Sequence, residues 1–157
     1  MAKELERLGD SFHIINDFHL LGQRGNFDHI VLGLNGIFMI ETKNHKGSIS
    51  CNGDVWKQRK VGQLGTVYDG VLKNPSLQVK ANAAILNDFI KQRLNKNIWI
   101  NPIIVFTNEE AELHIKNSTV PILRPEKLHE FITNYQSKRH LSSQELLGIK
   151  NILNIQV

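Results

Sequence analysis

Two carboxylates and a lysine stand in an otherwise apolar stretch of the chain, at Asp28 and in the tripeptide Glu41-Thr42-Lys43. Two segments rich in β-branched residues lie between them, on either side of Asn35-Gly36. Asn-Gly in this setting predicts a β-hairpin with a two-residue turn, because both residues tolerate positive φ. Leu34 then pairs with Ile37, and Asp28 lies opposite Lys43. Since opposed residues share a sheet face, the register predicts that Asp28, Glu41 and Lys43 face the same side.

This set of side chains suits hydrolysis of a phosphodiester. Mg²⁺ prefers oxygen ligands and is commonly held by one or two carboxylates with water and substrate phosphate. Such an ion lowers the pKa of a bound water and neutralises charge on the phosphate, and a nearby lysine stabilises developing charge. In the alternative interpretation, the three residues are ordinary charges at the rim of the core.

The order of these residues resembles the Asp…(Asp/Glu)-x-Lys core of the restriction-endonuclease-like nuclease superfamily. The similarity is closer to the nuclease-related domain, NERD, and covers about residues 1 to 115. It lies in five segments: Asn26-Phe27-Asp28-His29-Ile30-Val31, Asn35-Gly36-Ile37-Phe38, Ile40-Glu41-Thr42-Lys43-Asn44, Gly47 and Asn74-Pro75-x-x-Gln78. The resemblance implies an α/β fold with a central mixed β-sheet flanked by α-helices. It also implies a metal-dependent endo- or exodeoxyribonuclease.

The resemblance assigns a role to each site residue. Asp28 and Glu41 would bind Mg²⁺ or Mn²⁺, with the carbonyl of Thr42 as a further ligand. Lys43 would position the attacking water or stabilise the pentacovalent phosphorane, and Gln78 would support the site.

One feature of the family pattern is displaced in this sequence. Family members usually carry a Gly-Glu pair on their first helix, and that Glu often joins the metal site. Here the pair aligns upstream of Met1, which leaves Glu4 or Glu6 as candidate substitutes. The competing hypothesis is therefore a non-catalytic module that keeps the nuclease-like fold and binds nucleic acid or a partner protein.

Charge is unevenly distributed along the chain. The formal net charge is +4, but residues 43 to 96 hold ten Lys and Arg against three acids, a local excess of +7. A basic surface attracts polyanions, although the same bias also fits an ordinary solvated surface. The predicted DNA contacts, with RNA as an alternative substrate, are Lys46, Lys57, Arg59, Lys60 and Lys80.

Composition excludes several other classes of protein. The apolar runs are far shorter than the roughly 20 residues of a membrane span, and the N-terminus lacks an apolar signal-peptide core. Cys51 is alone, which excludes an internal disulfide, and the seven histidines lack zinc-site spacing. A cytoplasmic protein is the resulting expectation.

Hydrophobic periodicity and turn residues predict the order of the elements. We expect helices over 2–8, 74–94, 125–135 and 142–153, strands over 12–20, 47–51, 99–105 and 120–123, a loop or irregular hairpin over 57–73 and an acidic loop over 107–112. Ser142 and Glu145 have the spacing of a capping box, and Pro102 predicts an edge or a bulge. Residues 1–115 are predicted to form the nuclease-like domain, and residues 116–157 a mainly helical extension packed on it.

Overall fold

Four helices flank two mixed β-sheets in the computed structural model, which describes residues 1–154. The helices are α1 (Ala2–Glu6), α2 (Pro75–Leu94), α3 (Pro125–Thr133) and α4 (Ser143–Asn154). The strands are β1 (His13–Phe18), β2 (Phe27–Gly33), β3 (Gly36–Lys43), β4 (Gly47–Asn52), β5 (Val55–Val61), β6 (Val67–Asp69), β7 (Ile100–Phe106), β8 (Ala111–Lys116) and β9 (Ile122–Leu123). This is the α/β, restriction-endonuclease-like architecture that the sequence predicted, divided over two sheets.

The first sheet has the strand order β1-β2-β3-β7-β9. Strands β1, β2 and β3 are antiparallel, whereas β7 runs parallel to β3 and β9 parallel to β7. Pro102 lies in β7 before the two residues that pair with β9, so its missing N–H interrupts no ladder on that side. The predicted edge position of Pro102 is therefore confirmed locally.

The β2–β3 hairpin turns one residue earlier than predicted. Gly33 pairs with Gly36, so the turn residues are Leu34 and Asn35, and Ile37 pairs with Leu32 rather than with Leu34. The predicted register is wrong because it assumed positive φ at both Asn35 and Gly36, whereas Gly36 has a φ of 147° and Asn35 has no positive φ. The Asn35 amide donates to the carbonyl of Ile132 at 2.7 Å. The error amounts to two residues, and side chains alternate with a period of two, so Glu41 and Lys43 keep the face assigned to them. The observed pairs run from His29–Ile40 to Gly33–Gly36 and do not include Asp28, whose carboxylate is bonded by Thr42.

The two faces of the first sheet bury separate hydrophobic clusters. Helices α2 and α4 cover the face that carries Ile37 and Met39, and helices α1 and α3 cover the face that carries Phe38 and Ile40. Such a sheet, buried on both faces, explains why β2, β3 and β7 read as nearly continuous apolar runs.

Helix α2 begins and ends where the sequence predicted. The Asn74 side chain accepts a hydrogen bond from the N–H of Leu77 at 3.1 Å, Pro75 occupies the first turn, and Asn95 closes the helix with a φ of 53°. Its buried face is formed by Val79, Ala83, Leu86, Phe89 and Ile90.

The second sheet has the strand order β6-β5-β4-β8. Strand β8 was not predicted, because residues 107–112 were interpreted as part of an acidic loop. One of its six residues, Ala111, is buried, and it becomes a strand by parallel pairing with β4.

The predicted capping box is confirmed at the start of α4. The N–H of Ser142 donates to Glu145 at 2.9 Å, and the N–H of Glu145 donates to the Ser142 hydroxyl at 3.0 Å. Within residues 1–154, no helix has the length and apolar character needed to cross a membrane.

Candidate active site

Lys43 links two other residues of the site at the end of strand β3. Its Nζ donates to Oε1 of Glu41 at 2.7 Å and to Oε1 of Gln78 at 2.9 Å. Strand alternation places Glu41 and Lys43 on the same face of the sheet, and helix α2 carries Gln78 over that face. The side chains of Lys43 and Glu41 are 12% and 4% exposed, so the ion pair is held in one geometry with little water around it.

Thr42 fixes the carboxylate of Asp28. Its backbone N–H donates to Oδ2 of Asp28 at 2.7 Å, and its hydroxyl donates to the same oxygen at 2.8 Å. Within residues 1–154, no protein donor lies within hydrogen-bond distance of Oδ1. Sequence reasoning assigned the Thr42 carbonyl to the site and missed the hydroxyl. The signal was present, since a hydroxyl-bearing residue stood beside the acid at the end of a strand.

The surroundings of the Glu41 carboxyl disfavour its charged form. Burial raises the pKa of the Glu41 carboxyl above its ordinary value, and the nearby Asp28 carboxylate raises that pKa further. The hydrogen bond and the charge of Lys43 act in the opposite direction. Because Glu41 is buried and lies near the Asp28 carboxylate, a cation bound between the two would stabilise their charged forms.

The donor set fits a hard divalent cation. Asp28 and Glu41 supply carboxylate oxygens, and neither a thiolate nor an imidazole pair is present beside them, which favours Mg²⁺ or Mn²⁺ over Zn²⁺. Within the described residues, no group of three His, Cys, Asp or Glu is arranged to hold a metal. Any ion bound here would complete its shell with water, substrate or main-chain oxygens.

Trp56 connects the second sheet to this site. Its indole N–H donates to the hydroxyl of Ser76 at 2.8 Å, and its ring stacks on Phe106 with centroids 5.8 Å apart. Phe106 pairs with Lys43 in the ladder between β3 and β7, and Ser76 lies two residues before Gln78. Trp56 therefore fixes the start of α2, and with it Gln78, relative to the end of β3. The sequence placed Trp56 near the sheet without assigning it this role.

Four of the five predicted DNA contacts lie on the second sheet or its connections, and the fifth, Lys80, lies on α2. Lys46, Lys57 and Arg59 are exposed, and Lys60 is partly exposed. Lys80 differs from them, because its Nζ contacts the Asp54 carboxylate at 2.9 Å and the Thr119 hydroxyl at 2.6 Å. A lysine paired in this way is less available to a phosphate than its neighbours are.

His45 lies between the ion-paired lysine and this basic strand. Burial lowers the pKa of His45, and the charges of Lys43 and Lys60 lower it further. Its Nδ1 is buried without a hydrogen-bond partner in the described part of the chain. Lys43 and Lys60 therefore both place positive charge near His45.

The candidate substitutes for the upstream Glu do not approach the site. Helix α1, which carries Glu4 and Glu6, packs on the opposite face of the first sheet through Leu5. Glu4 is also paired with Arg7 at 2.7 Å. His29 bonds to Asn16 at 2.6 Å.

A cavity of about 770 Å³ opens at the other end of the first sheet and is lined by Gly36, Trp99 and Arg139, among others. It contains none of the carboxylates or amides of the candidate site. Volume alone does not mark the site of chemistry here, whereas the hydrogen-bonded set around Lys43 does.

The fold, with mixed sheets flanked by helices, is that of the restriction-endonuclease-like class of α/β proteins. The model of the nuclease-related domain family, NERD, matches residues 1–107, so the chain belongs to this family. The match includes Asp28, Glu41, Lys43 and Gln78. Neither a curated protein nor a solved structure matches the chain.

Proposed function

We propose that this protein hydrolyses phosphodiester bonds in DNA with the help of Mg²⁺ or Mn²⁺. The observation that carries the proposal is the position of Lys43, whose ammonium is held between Glu41 and Gln78 at 2.7 and 2.9 Å beside Asp28. An ammonium fixed in this way is already oriented for charge that develops on a phosphate, which is the property that lowers a reaction barrier.

Each side chain has a defined task in this proposal. Asp28 and Glu41 hold the cation, with the Thr42 carbonyl as a further ligand. When bound, the cation lowers the pKa of a water molecule and neutralises charge on the phosphate. Lys43 orients that water or donates to the charged phosphate oxygens, while Gln78 keeps the Nζ of Lys43 in place and Thr42 keeps the Asp28 carboxylate in place.

The test is incubation of the purified protein with single- and double-stranded DNA and RNA, with Mn²⁺, Mg²⁺ or EDTA. We expect cleavage of DNA with either ion and none with EDTA. Glu41→Gln should reduce the rate by on the order of 100-fold or more, the scale of losing a preorganised charged group. Glu126→Gln, an exposed substitution on α3, which covers the opposite face of the first sheet, is the matched control. Cleavage that EDTA leaves unchanged would overturn the proposal.

Metal binding has a readout separate from activity. Calorimetry should show Mn²⁺ binding to the wild-type protein, and Glu41→Ala should abolish it, because Asp28 alone is a weak site. Equal Mn²⁺ affinity in the two proteins would contradict the assignment of Glu41 as a ligand.

A second candidate function is a module that binds DNA or a partner protein without cleaving it. Two observations favour it: the described residues contain no group of three metal-binding side chains, and Oδ2 of Asp28 is already engaged by Thr42. Retention of DNA without metal-dependent cleavage in the same assay would select this function.

The division of the chain is part of the proposal. We assign residues 1–115 to the nuclease-like unit and 116–157 to an extension packed on it. Contacts of Leu128 and Ile132 with the Leu5 cluster support this packing, as do those of Ile149 and Leu153 with the α2 cluster. A cytoplasmic location stays a prediction from the sequence.

A further inference from the structure

The β5–β6 hairpin ends in an ordered tip formed by residues 62–66. The N–H of Gly62 donates to the carbonyl of Thr66 at 2.8 Å, and the N–H of Gly65 donates to the carbonyl of Gly62 at 3.0 Å. Leu64 stands at the end of this tip with 96% of its surface exposed. A large apolar side chain is therefore held out into solvent by a defined turn.

Further apolar side chains extend this surface along the hairpin. Val61, Val67 and Val71 are 71%, 60% and 86% exposed, and Val61 pairs directly with Val67. Val71 lies nearer the base, after Gly70, whose N–H bonds to the carbonyl of Gln58. Single exposed apolar residues are ordinary, but Val61, Leu64 and Val67 together at the end of a projecting element mark an interaction site. Nothing in the described chain covers these residues.

The base of the hairpin is fixed beside the candidate active site. Trp56 in β5 stacks on Phe106, the ladder partner of Lys43, and its indole N–H bonds to Ser76 at 2.8 Å. The Gln58 amide donates to the carbonyl of Lys46 at 2.8 Å. With its base held at these points, the hairpin has a set direction relative to Glu41 and Lys43.

The charge of the hairpin identifies its partner as a polyanion. Lys57 and Arg59 are exposed on one face of β5, and Lys60 lies on the other face, toward His45. Asp69 is the one acid between residues 55 and 70, and its pairing with Arg59 at 3.9 Å is fully exposed and weak. In such a hairpin, the basic side chains along the strands contact phosphates and the aliphatic side chain at the tip acts as an apolar wedge.

The length of the strand sets where the tip would act. Five residues separate Trp56 from Val61, which at about 3.3 Å per residue is roughly 17 Å. That span is about half of the roughly 34 Å helical turn of duplex DNA. Two-stranded ribbons bind duplex DNA in the major or the minor groove, and aliphatic side chains such as Leu unstack base steps when they are inserted from the minor groove.

We propose that the β5–β6 hairpin enters the minor groove of duplex DNA and that Leu64 inserts between neighbouring base pairs, about half a helical turn beyond the base of the hairpin at Trp56. The inference rests on the proposed function in one respect, namely that DNA binds at the Lys43 site. It adds a recognition element and selects the duplex over single strands.

Fluorescence of 2-aminopurine placed at successive positions of a duplex tests the insertion, because unstacking of this base increases its emission. The measurement is made in EDTA, so that it reports binding without cleavage and is independent of the nuclease assay. The wild-type protein should raise the emission at one or two adjacent positions. Leu64→Ala should abolish this rise and weaken duplex affinity about tenfold, as expected for loss of a partly buried aliphatic side chain.

The matched control is Leu21→Ala, at a leucine that is 79% exposed in another turn. It should keep both the emission and the affinity of the wild-type protein. Thermal melting of all three proteins checks folding. Because Leu64 and Leu21 are exposed, we expect the three melting temperatures to be equal. An equal rise in emission with Leu64→Ala, or no rise with the wild-type protein, would overturn the inference whether or not the protein cleaves DNA. Leu64-dependent binding to anionic vesicles without any change in duplex emission would also overturn it, in favour of a lipid surface.

Discussion

Thr42 gives two hydrogen bonds to one oxygen of Asp28, from its backbone N–H at 2.7 Å and from its hydroxyl at 2.8 Å. Both donors bond to Oδ2. These two contacts fix the orientation of the carboxylate and therefore the direction of Oδ1. Thr42 lies between Glu41 and Lys43 in β3, and it therefore positions Asp28, the third charged residue of the site, which lies in β2.

The first prediction follows from this relationship. Thr42→Val keeps the branched shape and the backbone N–H and removes the hydroxyl. We expect Mn²⁺ affinity and the rate of DNA cleavage to fall about tenfold, the lower end of the range for losing a residue that orients a metal ligand. Calorimetry and a cleavage assay measure the two effects. Thr133→Val on α3 is the matched control, and equal losses in both variants would remove Thr42 from the positioning role.

The faces of the β2–β3 hairpin were predictable from sequence, although the turn was not. Alternation alone places Glu41 and Lys43 on one face, whereas Asp28 lies outside the paired residues and is held by Thr42. The Asn-Gly rule assumes a positive φ at Asn35, which the structure does not have, and the Asn35 amide reaches the carbonyl of Ile132 almost one hundred residues further along the chain. No local rule about Asn-Gly turns includes that contact.

Strand β8 and the role of Trp56 escaped prediction for different reasons. Ala111–Lys116 alternates apolar and polar residues, which is a strand pattern, but its first two residues were interpreted as the end of an acidic loop, and its partner β4 lies far away in sequence. The stacking of Trp56 on Phe106 joins two sheets that are adjacent only in the folded chain. By contrast, the ends of α2 and the Ser142–Glu145 capping box depend on local chemistry, and the sequence predicted them.

The second prediction concerns the basic strand β5. Replacing Lys57, Arg59 and Lys60 together by Glu should weaken duplex binding at low salt at least tenfold and flatten its salt dependence. Each lost phosphate contact removes one released counterion from the slope of log K against log salt. Fluorescence anisotropy across a salt series measures this.

The control for this triple variant is a reversal of three exposed lysines elsewhere, Lys3, Lys91 and Lys127. It changes net charge by the same amount at sites away from β5. If both triple variants lose affinity equally, net charge explains the binding and the β5 surface does not.

The third prediction concerns acid stability at the start of α4. The backbone N–H of Ser142, then Lys96, then the charge of Arg139 lower the pKa of Glu145 from 4.5 to about 2. A lowered pKa means that the unfolded chain binds the proton more tightly, so the stabilisation is complete above pH 4.5 and is lost as the pH falls toward 2. We expect the melting temperature of Glu145→Gln to be lower than that of the wild-type protein at pH 7, with the difference shrinking between pH 4.5 and the lowest measurable pH.

Glu109→Gln is the control for this experiment, because Glu109 makes no side-chain hydrogen bond within residues 1–154. Its melting temperature should equal that of the wild-type protein at each pH. A difference between Glu145→Gln and wild type that stays constant from pH 7 to pH 3 would show that the charge of Glu145 is not responsible.

The last prediction separates a nuclease from a binding module. In a nuclease, Lys43 acts on charge that grows toward the transition state, so its loss affects the chemical step more than binding. Lys43→Ala should leave DNA affinity within about twofold of wild type and reduce Mn²⁺-dependent cleavage by on the order of 100-fold or more. Because removing one partner of a buried ion pair costs about 3 to 5 kcal/mol of stability, Lys43→Met serves as a second variant that preserves packing of the stem. Melting curves show which variants are folded under the assay conditions, and Lys73→Ala controls for loss of an exposed lysine. If a folded Lys43 variant cleaves at the wild-type rate, the activity belongs to another site. If the wild-type protein and every variant bind DNA alike and none cleaves it, Lys43 is one phosphate contact among several, as a binding module requires.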